Sequence, residues 1–221
     1  MTSPLAIIAG VGPGLGLAVA RRFAERGCRV ALIARDRARL ETLAAPIKSR
    51  GGAAFAYPAD LSDHHAVADV IATILADHGR PSVLVWNPAL RDETPVLSVD
   101  SDTFDRQLRL GLTAGLTAIR AAAPAMSAGG GGTILMTGGG LALAPQYGGA
   151  VPVLTAVKSA LRGFVHASAP ALAAQNLRLG TVTIAGQVAP GTAFDPDRIA
   201  DAFWSMHDVA EPMVEYIFDG R

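Results

Sequence analysis

Cysteine is nearly absent: Cys28 stands alone in 221 residues. No internal disulfide is possible, and Cys28 reads as a small buried apolar residue with nothing to mark it as reactive. Charge is sparse, at 17% of residues, and sums formally to zero with no basic or acidic block. That balance argues against nucleic acid or a membrane surface as the main partner. No apolar run approaches the length of a membrane span. The N-terminus lacks the basic residues of a secretory leader, and its apolar run leads straight into glycines. These absences make a reducing cytoplasm the expected location. The five histidines, His64, His65, His78, His166 and His207, form no ligand-spaced set with cysteine or carboxylates, so no metal site is expected. There is no internal repeat and no sign of a second domain.

Half of the residues are hydrophobic, enough for a substantial core in one domain over residues 1–221. Apolar runs alternate with helical patterns along the whole length, which signals α/β architecture: a doubly wound parallel sheet of about seven strands with helices on both faces. Strands are expected at Leu5–Ala9, Arg29–Ala34, Ala53–Tyr57, Ser82–Trp86, Thr133–Thr137, Arg178–Ala185 and Glu215–Phe218. Helices are expected at Gly14–Arg26, from about Arg37 to Lys48 and from about Asp63 to Asp77. Further helices are expected at Thr103–Met126, at Val151–Ala174, broken or bent near Pro170, and at Asp197–His207. Gly111, Gly115 and Gly163 on the two long helices allow close packing, either in the core or against a second subunit.

The stretch Leu5 to Leu17 organises the chain. A short strand ends in Gly10, Gly12, Gly14 and Gly16, and a helix follows at once. Strand, glycine turn and helix let a phosphate approach backbone N–H groups at a helix N-terminus, where a Cβ would block the turn or the phosphate.

Read as Gly10-x-x-x-Gly14-x-Gly16, this turn resembles the phosphate loop of the short-chain dehydrogenase/reductase family. Asp60-Leu61 follows strand 3, where the family places an acidic residue against adenine. Trp86-Asn87-Pro88-Ala89 stands where the family has Asn-Asn-Ala-Gly. Lys158-Ser159-Ala160-Leu161 is similar to its Lys-x-Ala-Leu, and Ala185-Gly186 to its Pro-Gly, with Val188 beyond facing the nicotinamide. The resemblance covers essentially the whole chain and implies a Rossmann-type domain. It puts Gly10, Gly12, Gly14, Leu15, Gly16, Arg35, Asp60, Leu61, Asn87, Lys158, Gly186 and Val188 at a dinucleotide. It also implies a homodimer or homotetramer and a small-molecule substrate. NAD usually meets a carboxylate at the end of strand 2. Here Ala34 is followed by Arg35, whose guanidinium suits the 2′-phosphate of NADP. NADP is therefore the expected cofactor and NAD the alternative. Arg35 could instead be a solvated surface arginine. Asp36 could serve the ribose hydroxyl or cap the next helix.

Chemistry is where the pattern breaks. The family moves the proton with a Ser, a Tyr and a Lys assisted by an Asn, the Tyr lying four residues before the Lys. Here those positions hold Gly139, Leu154, Lys158 and Gly111. Lys158 remains, for cofactor binding or for catalysis. Tyr147, in the glycine-rich loop before the helix, is the best candidate replacement acid, although packing of the loop or of a subunit interface also explains it. Thr137 could hydrogen-bond a ligand, whereas Thr155 is expected to bond back to its own helix. Asp92 and Glu93 are taken as solvated. The interval 187–212, where the family has lid helices, is short. Phe194, Phe203, Trp204 and Met206 either line an apolar pocket there or pack a helix on the sheet. An oxidoreductase on a small carbonyl or alcohol and a catalytically inactive cofactor-binding protein both fit. Reduction of an activated double bond is a third option.

Overall fold

Strands β1 (Leu5–Ala9), β2 (Arg29–Ala34), β3 (Ala54–Pro58), β4 (Val83–Trp86), β5 (Gly132–Gly139), β6 (Leu177–Ile184) and β7 (Glu215–Phe218) form one sheet. Its order is β3-β2-β1-β4-β5-β6-β7, and every pairing is parallel. The computed structural model describes residues 3–211 and 213–221, so position 212, the end of the expected lid interval, lies outside the described residues.

The strands are apolar on both faces because both faces are covered. Along β1, Leu5, Ile7 and Ala9 enter one core while Ala6 and Ile8 enter the other, as a period of two requires. The first core is closed by α3 (His64–His78), α5 (Ala114–Ala128) and α6 (Pro152–Ala173), through Ile71, Ile74, Ala118, Met126, Leu161 and Val165. The second is closed by α1 (Leu15–Glu25), α2 (Arg37–Ser49) and α7 (Pro196–Asp208), through Phe23, Leu40, Ile47, Ile199 and Phe203. Aspartates cap the starts: Asp36 for α2, Asp63 for α3, Asp100 for α4 (Ser101–Leu108) and Asp195 for α7.

Three elements differ from the sequence expectation. The long helix from Thr103 begins at α4 and contains a π turn, Arg109–Thr113, before α5. There Ala114 N–H donates to Arg109 O, which frees the Leu110 carbonyl; that carbonyl accepts the Trp86 indole N–H at 3.2 Å. The strand expected to stop at Thr137 continues through Gly138 and Gly139, paired with Thr183 and Ile184. A Cβ at Gly138 would lie 2.6 Å from the Thr181 and Thr183 hydroxyls, so only glycine extends the strand there. Helix α6 passes Pro170 unbroken and ends at Ala173. The small residues of the long helices divide as well. A Cβ at Gly111 would strike Val157 of α6, and one at Gly115 would meet Met136 and Trp86, so both serve packing within the chain. Gly163 has open space.

Candidate functional site

A cleft of about 1440 Å³ runs along the carboxyl ends of the strands, where ligands of open α/β sheets bind. Its wall begins at the glycine turn, with Gly10, Gly12 and Leu15. Gly10 has φ +84°, and a Cβ there would sit 2.7 Å from the Pro88 nitrogen, so glycine is required twice over. The Gly10 and Val11 N–H groups both donate to Ile33 O, which bends the chain off β1. Gly16 is buried against the turn, and its Cβ would approach Gly10 O at 2.5 Å. It brings α1 close but does not line the cleft, and neither does Gly14, which has room around it. In the first turn of α1, Leu17 N–H donates to Gly12 O and Ala18 N–H to Gly14 O, both at 3.1 Å, which leaves the N–H groups of Leu15 and Gly16 at the helix start, where Leu15 lines this wall.

At one end of the cleft stand Ala34, Arg35, Asp60, Leu61 and Ser62. Arg35 is exposed. Its neighbour Asp36 is committed to its cap, accepting Arg39 N–H at 3.1 Å. Asp60 Oδ1 accepts the Ser62 N–H at 2.9 Å and the Ser62 hydroxyl at 2.8 Å. Those two bonds, with help from the Arg35 charge, hold the Asp60 carboxyl below the usual carboxylate range.

At the centre is a continuous polar chain. Asn87 Nδ2 donates to Gly10 O at 2.9 Å, and its Oδ1 accepts the Thr137 hydroxyl at 2.9 Å. Lys158 Nζ donates to the Thr137 carbonyl at 2.6 Å. One residue thus ties the glycine turn to β5, and β5 in turn receives the lysine of α6. Lys158 is 7% exposed, and burial lowers its pKa to about 8. Its stem lies across Gly139, where a Cβ would be 3.2 Å from Lys158 Cγ. One helical turn earlier, Leu154 lines the cleft. Gly186 and Val188 lie on the wall after β6, with the Phe194 ring packed against Gly186.

Tyr147 lies in a 3₁₀ turn, Pro145–Tyr147, at the rim; it is 80% exposed and outside α6. The Thr155 hydroxyl donates back to Val151 O at 3.0 Å. Asp92 accepts from the Thr94 N–H and hydroxyl and from Gln107 Nε2, while Glu93 pairs with Arg91 at 2.8 Å. Both carboxylates therefore pin the loop after β4. Of the four residues weighed for an apolar pocket, none lines the cleft. Phe203 and Met206 are in the core, Phe194 stacks edge-on with Phe218, and Trp204 packs on Phe23. Arg91 and Arg106 do line the cleft and were not singled out from sequence. They arrive from a loop and from α4, and no spacing rule links either to the glycine turn. Among the described residues, no three His, Cys, Asp or Glu side chains gather to hold a metal ion, and no helix is long and apolar enough to cross a membrane.

Residues 4–194 match the family model described as short chain dehydrogenase. A metagenomic short-chain oxidoreductase crystallised in complex with NADP superposes with a TM-score of 0.87 at 30% identity, over 98% of this chain and 97% of that one. L-sorbose reductase from Gluconobacter frateurii, crystallised with NADPH and L-sorbose, gives 0.90 at 22% identity, over 100% and 96%, a likeness of fold. Among curated relatives, probable oxidoreductase EphD of Mycobacterium tuberculosis is 33% identical over 108 residues, 49% of this chain and 18% of that protein. Uncharacterized oxidoreductase YxjF of Bacillus subtilis is 29% identical over 126 residues, 57% of this chain and 49% of that protein. The match spans less than half the length of either relative.

Proposed function

The chain belongs to the short-chain dehydrogenase family, and we propose that it is an NADP(H)-binding oxidoreductase acting on a carbonyl or alcohol with acid/base groups other than the family's usual Ser, Tyr and Asn. The observation that carries the reading is the convergence of the glycine turn, Arg35, Asp60 and Asn87 on one cleft. The residues fit a dinucleotide: a Cβ at Gly10 or Gly16 would fill the turn, and α1 offers the N–H groups of Leu15 and Gly16 at its start. In this reading Gly10, Gly12 and Leu15 meet the phosphates while Gly14 and Gly16 shape the turn behind them, Asp60 and Leu61 meet the adenine, and Asn87, Lys158, Gly186 and Val188 the nicotinamide end. When bound, NADP(H) supplies or accepts the hydride.

Asp36 is spent on its helix cap, which leaves Arg35 as the group for a ribose 2′-substituent and favours NADP over NAD. Lys158 is our first candidate for holding the mobile proton, at Nζ, because burial brings its pKa to about 8, near working pH. Tyr147 is the second, from the rim. Asn87 and Thr137 orient rather than titrate: they hold β5 and the turn in register beneath Lys158.

A cofactor-binding protein without hydride transfer is the other reading, and Leu154, Gly139 and Gly111 favour it. We further propose a homodimer or homotetramer, on the family resemblance. NADPH is expected to raise the melting temperature. Arg35→Ala should weaken NADPH about 10- to 100-fold and NADH little, the loss expected for a charge-assisted hydrogen-bonded pair. No shift with either nucleotide at millimolar concentration would overturn the cofactor reading. Absence of NADPH consumption across a carbonyl panel, with binding intact, would favour the inactive protein.

A further inference from the structure

Beyond the polar centre, the cleft is walled by side chains from four segments of the chain. Leu90 comes from the loop after β4, Leu110 from the π turn, Leu141 and Leu143 from the loop after β5, and Val151 and Leu154 from the start of α6. Leu90, Leu141, Leu143 and Leu154 belong to neither core, so folding does not account for them. Leu90 and Leu143 remain 37% and 39% exposed on a concave surface. Apolar side chains held open around a cleft mark a site for apolar ligand surface. Polar partners on this wall are few. Arg91 is engaged by Glu93, Arg106 has the charges of Asp92 and Asp100 beside it, Tyr147 points out at the rim, and positions 139 and 154 carry no hydroxyl, which leaves Gln187. A polyol here would leave most of its hydroxyls unpaired, which costs affinity. At about 1440 Å³ the cleft also exceeds the roughly 300–1,000 Å³ of a single small-ligand site. A second molecule has room beside a dinucleotide.

We infer that the substrate is a carbonyl compound, or the matching alcohol, carried on an extended apolar group, with its oxygen toward Lys158 and its apolar part along the leucine wall. This rests on the oxidoreductase reading for its carbonyl end, whereas the apolar specificity rests on the wall alone.

The test is calorimetric titration of decan-2-one, butan-2-one and a ketohexose into the protein, with and without saturating NADPH. Affinity is expected to rise about fourfold for each methylene that reaches the wall. Decan-2-one should then bind at least about 100-fold tighter than butan-2-one, and the ketohexose should bind worst. Leu143→Asp should lower decan-2-one affinity about tenfold or more, with the NADPH melting shift kept as the folding control. Equal affinity for the two ketones, or preference for the ketohexose, overturns the inference. So does a chain that buries these leucines against a second copy, detected as Leu143→Asp turning a dimer into a monomer without changing ketone binding. Decan-2-one binding in the absence of any NADPH shift would sink the cofactor reading and leave the apolar site standing.

Discussion

Lys158 shows how one buried group reports on the site. Its ammonium is removed from water and, among the described residues, has only the Thr137 carbonyl in return, so its pKa falls from 10.5 to about 8. Between about pH 8 and 10.5 the unfolded chain holds the lysine proton and the folded chain does not. Stability from this group therefore rises across that window and is lowest below it. Lys158→Met should abolish the rise in melting temperature between pH 8 and 9 while leaving the folded state at least as stable at pH 7. Burial raises the Cys28 thiol to about 11 and raises Tyr57 as well, which lowers stability above about pH 9. The lysine is therefore read from the difference between wild type and Lys158→Met over pH 8 to 9; no difference there would show the ammonium to be well solvated. The residue was legible in the sequence through Ser159-Ala160-Leu161, but its direction was not. A lysine stem reaches several places, and the glycine at 139 lets it lie flat on β5.

Among the elements, the helix interrupted at Arg109–Thr113 depends on a partner far away in sequence. The π turn strands the Leu110 carbonyl, and Trp86 of β4 satisfies it. Trp86→Phe removes that N–H from a residue 1% exposed. It should cost at least about 1 kcal/mol, a fall in melting temperature of roughly 2–4 °C for a chain of this size. An unchanged melting temperature would mean that water satisfies the carbonyl. Apolar period and glycine placement marked the helix but not the π turn. The extra residue is set by packing of Gly111 on Val157 and by the indole, both tertiary contacts. Pro170 misleads in the other direction: it predicts a break, yet α6 ends only three residues later, so little helix is left to lose.

Across the whole molecule, the last strand is tied in by one carboxylate. Glu215 of β7 accepts both Nε and Nη2 of Arg162, the Thr183 hydroxyl at 2.6 Å, and lies 3.0 Å from His166 Nε2. Burial alone would raise its pKa, but these partners outweigh burial and hold it at about 2. Its contribution is complete above the unfolded value of 4.5 and is lost as pH falls toward 2. Glu215→Gln should cost about 1.5–3 kcal/mol at pH 7 and flatten the acid side of the stability curve. If the variant unfolds at the same acid pH as the parent, the clamp does not hold β7. The sequence by itself determined seven apolar runs, the helices between them and the glycine turn that leaves β1. Those features are local, set by period and by backbone freedom at Gly10. Only the tertiary structure decided what fills the cleft wall, where Lys158 points, that Asp36 is committed to a cap, and that Phe194, Phe203, Trp204 and Met206 pack away from the site. Those outcomes depend on which distant segments meet at the carboxyl edge of the sheet, and spacing along the chain carries no measure of that meeting.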